Sequence, residues 1–306
     1  MSTPGEPLAL PVIRAKSEDG RLLVREGLSV CFFVRQSHAE VAPHVFRAIQ
    51  ILRSIFGEGA LKYYVDDEGQ TLRLAESDWP AIMANFHTQG NFTLKTMDNS
   101  AGASGYALEY GGYDLKSSTF AAWPTATSYL IAQLPAERLE ADRVEALRHQ
   151  LIALANHMPG AYGYASLAFN YGAGADEPAA FKSIRRRCFD LPGLDVHRSA
   201  ASSLDMNGCV RGAYWINFLP SPIVSALGGL DQIRREMALA HAQVTSTRDG
   251  GVTVMLGQSP AVAGVALAPY RLLAHLLEPF LHKSRFPFPA FTVAETLQWE
   301  QRYLDI

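Results

Sequence analysis

The sequence predicts an α+β protein in which an antiparallel or mixed β-sheet is covered by helices. Three observations lead there. Short runs rich in aromatic and β-branched residues alternate with segments whose apolar residues recur at helical spacing. Most neighbouring strand-like runs lie too close together for a helical crossover, which parallel pairing would need. A chain of 306 residues that is 48% hydrophobic can bury a large core, as one big domain or as two of ordinary size. The opening segment to Gly20, rich in Pro, Gly and charge, is expected to be loose. Residues 21–306 then form either a single α+β domain or two similar α+β halves with a boundary near 114–126.

The elements follow in order. "LSVCFFV" (28–34) reads as a buried strand, and the segment after it carries Val41, Val45, Ile49, Leu52 and Phe56 at helical spacing up to Gly57. The start of that helix is open: Ser37 with Glu40 makes a capping box, whereas Pro43 suits a first turn better than an interior. "LKYYVDDEGQTLRL" (61–74) reads as a hairpin turning at Asp67 to Gly69. "SDWPAIMANFHTQG" predicts a short helix capped by Ser77 or Asp78, with Ile82, Met83 and Phe86 facing inward. Strand-like runs come next at 91–97, 104–113 and 127–134. The clearest helix lies in 137–157, where Val144, Leu147, Leu151 and Leu154 form one stripe ended by Pro159-Gly160. Further along stand strand 162–170, helix 177–189, strand 210–219, helix 228–240, strand 251–257 and helices over 269–281 and 294–304.

Charge and cysteine content narrow the function. The formal net charge of −3 gives no basic field for nucleic acid, so direct nucleic-acid binding is not expected. Cys31, Cys188 and Cys209 are an odd, widely spaced set without a C-x-x-C pair, which disfavours a disulfide framework or thiolate zinc site and suits a reduced cytoplasm. No apolar window approaches membrane-spanning length and the first twenty residues lack a secretory pattern, so a cytoplasmic location is expected and no membrane partner.

Local signatures of the common enzyme classes are missing: no G-x-S-x-G, no H-E-x-x-H, no Walker loop, no G-x-G-x-x-G after a strand. Sites assembled from distant residues leave no such trace. His38 and His44, six apart, fall on different helix faces and cannot form an i, i+4 metal pair, and no cofactor is expected. In "SIRRRCFDLPGLDVH" (183–197) Arg185, Arg186 and Arg187 could favour a Cys188 thiolate or hold an anion. The simpler reading is a helix end, with three cations complementing the dipole, Cys188 and Phe189 packing inward, and Leu191-Pro192-Gly193 as the break. An enzyme with a dispersed site near 185–197, using Cys188 or His197, is the alternative function. A scaffold binding through exposed apolar surface is a third reading.

The hairpin region is locally acidic, with Glu58, Asp66, Asp67, Glu68, Glu76 and Asp78 against Lys62 and Arg73. A solvated turn explains this most simply. The functional reading is a partner-binding surface made by Tyr63, Tyr64, Asp66, Asp67 and Glu68, facing a cationic groove on another protein. One of the two tyrosines should point out of the sheet.

From residue 185 onward the landmarks run "RRRCFDLPGLDV", "VRGAYWINFL", "LGGLDQIRREM", "GVTVMLGQSP", "YRLLAHLLEPFL" and "LQWEQRYL". This order resembles the type VI secretion immunity family, whose members show an Arg-x-Pro-Gly-Leu-Asp element, a Trp-containing strand, a Leu-Gly-Gly helix start and a Gly-x-x-Pro turn. The N-terminal half is similar more loosely, through "GLSVCFFV", Ala42-Pro43 and "YYVDDEG". Tyr214-Trp215-Ile216-Asn217 stands where the family has Asn-Trp-Leu-Thr, and Gly264-Val265 where it has Gly-Asp. The resemblance implies a non-catalytic cytoplasmic protein that binds and neutralises a cognate type VI effector toxin. Within the family the chain looks most like the TsiT type, paired with a nuclease toxin of restriction-endonuclease fold. Whether the protein forms homo-oligomers stays open.

Overall fold

The computed structural model describes residues 10–140, 143–172, 174 and 176–304. Eleven strands form one sheet: β1 (Arg14–Lys16), β2 (Leu22–Val34), β3 (Tyr63–Val65), β4 (Thr71–Arg73), β5 (Phe92–Met97), β6 (Ala107–Gly112), β7 (Ser128–Pro135), β8 (Tyr162–Tyr171), β9 (Ile216–Leu219), β10 (Gln243–Ser246) and β11 (Val252–Met255). Their order is β10-β11-β9-β8-β2-β7-β6-β5-β3-β4, with β1 pairing the start of β2. Every ladder is antiparallel, which settles the choice between an antiparallel and a mixed sheet. The helices are α1 (His38–Phe56), α2 (Trp79–Ile82), α3 (Val144–Ala155), α4 (Glu177–Arg185), α5 (Ser199–Ser202), α6 (Ser221–Ala226), α7 (Leu230–Met237), α8 (Ala268–Leu277) and α9 (Val293–Glu300).

The start of α1 follows the cap and not the proline. Ser37 donates its backbone N–H to Glu40 Oε2 at 2.9 Å, and His38 is anchored through its backbone to Tyr113 O at 2.8 Å. Pro43 is carried inside the helix. β2 is longer than its apolar run because Arg25-Glu26-Gly27, polar in sequence, is satisfied by β1: Ile13 donates to Glu26 Oε2 at 2.7 Å and Arg14 pairs with the same carboxylate. Thus residues 14–16 of the opening segment are tied into the sheet and Ile13 is buried, while residues 1–9 lie outside the described residues.

Several elements differ from their sequence patterns. The helix expected over 137–157 forms only from Val144, after a separate single turn at Ala136–Leu139, and Val144 itself is half-buried. In 77–90 the helix is a 3-10 turn at Glu76–Asp78 running into the single turn α2; Phe86 is buried, but Ile82 and Met83 are half-buried. The strand expected over 210–219 exists only as β9. Asn217 folds back on Tyr214, accepting its N–H at 2.9 Å and donating to its carbonyl at 2.7 Å, so a side chain replaces the ladder there. β10, polar and at a sheet edge, has no apolar signal and was not expected.

Antiparallel partners share a face, so the register sorts the sheet into two surfaces. One carries Leu108, Leu130, Ala132, Val30 and Phe32, is packed by α1 and α3, and is fully buried. On the other, two cross-strand rows run side by side. The first is Lys95–Glu109–Ile131–Cys31–Tyr164–Asn217, and the second is Arg73–Tyr63–Met97–Ala107–Gln133–Ser29–Ser166. Each row is buried at its β2–β8 end and half-buried or exposed at its β3–β6 end.

Gly27 lies between β7 and β8 where a Cβ would come within 2.1 Å of Asn170 Nδ2 and 2.8 Å of Leu134 O. The carbonyl belongs to the ladder and cannot retreat. Gly27→Ala is therefore expected to lose about 1–3 kcal/mol of stability by overpacking, read as a lower urea midpoint at unchanged m-value.

Candidate functional site

The loop after α4 is pinned to β8 by its own backbone. Asp195 donates its N–H to Leu167 O at 2.7 Å, and its carbonyl accepts from Phe169 N–H at 3.0 Å. This lays the Asp195 carboxylate, 1% exposed, over the strand, where Tyr164 donates at 2.8 Å and Tyr214 at 3.1 Å. The two phenol rings stack at 3.8 Å. Arg211 closes the cluster from the other side, with Nη2 3.7 Å from Asp195 Oδ1, Nη1 donating to Ser202 Oγ at 2.7 Å and Nη2 to Val196 O at 2.9 Å. Burial alone would lower the Arg211 pKa; Tyr164, Tyr214 and Asp195 outweigh it and raise it, so the guanidinium stays charged.

This knot explains the Arg-x-Pro-Gly-Leu-Asp landmark as structure. Pro192 O accepts from Tyr303 Oη at 2.6 Å and Arg302 Nε at 2.9 Å, and Gly193 donates to Val262 O at 2.8 Å. A Cβ on Gly193 would lie 2.0 Å from Ala261 O, so the close approach requires glycine. The motif ties the C-terminal segment to the sheet.

The groups singled out for chemistry near 185–197 do not converge on a nucleophile. Cys188 is buried, and burial pushes its thiol up to about 12, so it is protonated at neutral pH. Arg185 pairs with Glu295 at 2.6 Å, whereas Arg186 and Arg187 are exposed. Phe189, expected to pack inward, is 37% exposed at the end of its turn while still touching Trp299 edge-on. His197 is 4% exposed, and burial pushes its imidazole down to about 4. His38 is a core histidine, bonded through Nδ1 to Tyr110 Oη at 2.8 Å and through Nε2 to Phe86 O at 2.7 Å. Among the described residues no three His, Cys, Asp or Glu side chains are arranged to hold a metal ion, and no helix is long and apolar enough to cross a membrane.

The hairpin residues stand together at the far edge of the sheet, on β3, β4 and their turn. Tyr63 lies on the partly open face, with the Arg73 guanidinium over its ring at 5.1 Å, and Tyr64 lies on the α1 side; both are half-buried. Asp66 serves the turn, accepting from Gly69 N–H at 3.0 Å through its carbonyl and from Gln70 N–H at 2.7 Å through Oδ1. Glu76 pairs with Arg53 at 2.5 Å and Asp78 accepts from Ala75 N–H at 2.7 Å. Asp67 and Glu68, with Glu58 and the Arg53-paired Glu76, are the exposed carboxylates of the group.

Sequence reasoning did not find a concavity on the half-covered face. A groove of about 500 Å³ opens on the half-covered face, floored by Lys95, Glu109, Ile131 and Gln133 and walled by Tyr171 and the 197–204 segment. Its lining comes from six separate stretches, so no local pattern announces it. The neighbouring knot showed in the sequence through Asp195 of the Pro-Gly-Leu-Asp landmark, without its partner Arg211.

Fold and surface together define an antiparallel α+β protein with one covered sheet face, one half-open face and an acidic edge. Over residues 44–303 the chain matches the TsiV family, described as type VI immunity for VRR-NUC, and it belongs to that family. It is thus a type VI immunity protein. The T6SS protein PA0821 of Pseudomonas aeruginosa shares the fold, with a TM-score of 0.74 at 19% identity over 94% of this chain and 85% of that one. No curated protein matches the sequence.

Two outcomes follow from the buried groups. Arg211→Met strands the Asp195 carboxylate and is expected to cost about 3–5 kcal/mol, with much of it recovered in the Arg211→Met, Asp195→Asn double variant; equal losses in both would contradict the pairing. His197 protonates near 6.5 when unfolded and at about 4 when folded, so the unfolded state binds more protons between those values. Stability should fall by about 3 kcal/mol as pH drops through that window and level off below it. Denaturant titrations at several pH values should show this part of the slope missing in His197→Gln.

Proposed function

We propose that the protein acts in the cytoplasm as a non-catalytic inhibitor that binds a cognate type VI effector toxin of the VRR-NUC class and so protects the cell that makes it. The observation that carries this reading is the family match over residues 44–303. The buried, protonated Cys188 and the absence of a catalytic motif in the sequence are consistent with it. The TsiT-type pairing with a toxin of restriction-endonuclease fold, suggested by the sequence landmarks, is the finer form of this reading, and the VRR-NUC description, which spans most of the chain, supports its nuclease part.

Inhibition by binding needs a preorganised surface, since ordering loops on association costs affinity. The acidic hairpin is the surface proposed here. A nuclease must attract phosphates, so the ground around its active cleft carries positive potential. Exposed Asp67 and Glu68, beside Tyr63 and Tyr64, would meet that potential and speed encounter. Asp66 would contribute by holding the turn.

The test is co-expression with the adjacent VRR-NUC toxin, followed by titration calorimetry and a nuclease assay. A nanomolar or tighter one-to-one complex that abolishes DNA cleavage is expected; micromolar or absent binding would contradict the reading. Asp67→Lys with Glu68→Lys should slow association about tenfold at low salt, with the difference shrinking as salt rises. Unchanged association kinetics would remove the hairpin from the interface.

A further inference from the structure

We propose that the groove on the half-open sheet face is a docking site for an extended polypeptide segment of the toxin. The proposal rests on the toxin-binding reading above and adds to it a place and a chemistry.

Three observations carry it. The first is shape and position. The groove holds about 500 Å³, within the range of sites that enclose a ligand or a short stretch of chain. Its floor belongs to the same face as Tyr63 and Arg73: the row Arg73–Tyr63–Met97–Ala107–Gln133 leads from the hairpin straight into it. A segment of toxin reaching in from the hairpin side would cross rigid strands, which need no ordering on binding. Gly172 and Gly102 both line the groove, and they meet so closely that a Cβ on Gly172 would lie 2.6 Å from the Gly102 carbonyl.

The second is a buried polar atom without a partner in the groove lining, with two more on the residue that precedes the lining Tyr171. His197, 4% exposed, lines it, and its Nε2 makes no hydrogen bond among the described residues. Asn170, fully buried on the strand just before Tyr171, has neither its Oδ1 nor its Nδ2 bonded. Leaving such groups unpaired costs about 1–3 kcal/mol each, which a native structure keeps only for a reason. An imidazole held neutral and an amide together offer donors and acceptors, and a peptide unit supplies one of each. Reaching Asn170 would require the side chains over it to shift, as happens where occupancy remodels a groove.

The third is charge. Lys95 and Arg198 face Glu109 and Glu177; Arg198 and Glu177 pair at 3.1 Å, and Glu109 accepts from Tyr129 Oη at 2.7 Å. Two cations against two carboxylates make the groove neutral, unsuited to a phosphate chain or any other polyanion. An apolar floor at Ile131 with polar groups around it instead suits main chain carrying one apolar side chain.

The test uses the full chain and the full-length toxin. Ala201→Trp places a large ring at the exposed rim on α5, and Lys95→Glu reverses a floor charge; Leu239→Ser, at an exposed site outside the groove lining, is the control. Thermal melts establish that each variant is folded. The expected result is affinity weakened about tenfold or more by Ala201→Trp and by Lys95→Glu, mainly through faster dissociation, with the control unchanged. Wild-type affinity in both folded groove variants would overturn the proposal and leave the groove to a small molecule or to no ligand, while toxin binding itself stood. Failure of the wild-type chain to bind the toxin would overturn the toxin-binding reading, and this one with it.

Discussion

The buried Asp195–Arg211 contact fixes the segment between α4 and β9 against β8. Asp195 is fixed to β8 by two backbone hydrogen bonds, and Arg211 reaches it from the segment leading into β9. Between them the chain makes the excursion through His197, α5 and Met206 that covers one end of the sheet face. Such a pair is not a large source of stability, because both ions are desolvated. Its effect is positional: two tyrosine hydroxyls, a serine and a backbone carbonyl accept or supply the remaining hydrogen bonds, and few other arrangements of this loop would satisfy them all.

That fixed excursion makes the sheet asymmetric. The α1–α3 side is closed over β2, β6 and β7 by apolar packing and opens toward β3 and β4. The opposite side is closed over β2, β8 and β9 and half-open over β5, β6 and β7. A rigid sheet with a half-open face and an exposed acidic turn is suited to an immunity protein, which must hold its partner tightly without paying to order its own loops.

Much of the fold was legible in the sequence. Apolar runs gave the central strands, helical spacing gave α1 and α8, and close strand spacing pointed to antiparallel pairing. The failures share a cause. The first half of β2 looks polar, yet Glu26 is neutralised by Arg14 and also accepts from the Ile13 N–H, 12 and 13 residues earlier. Tyr214 looks like strand, but the Asn217 side chain occupies its backbone groups. β10 shows no apolar alternation because it sits at an edge. In each case a partner distant or unforeseen in sequence decided the conformation. The candidate sites divide the same way: the acidic hairpin is contiguous and could be read directly, whereas the groove exists only after β5, β6, β7 and the 197–204 segment have been brought together. The landmark motif around Pro192-Gly193 was visible, and its role is structural.

Hydrogen–deuterium exchange of the chain, alone and with the VRR-NUC toxin proposed as its partner, tests the account most directly. Slowed exchange on binding is predicted at the hairpin 63–73 and at the groove segments 95–109 and 197–204, with the α1–α3 side unchanged. Protection confined to the α1–α3 side or to the 185–189 turn, or none in a mixture that contains the toxin in excess, would contradict it.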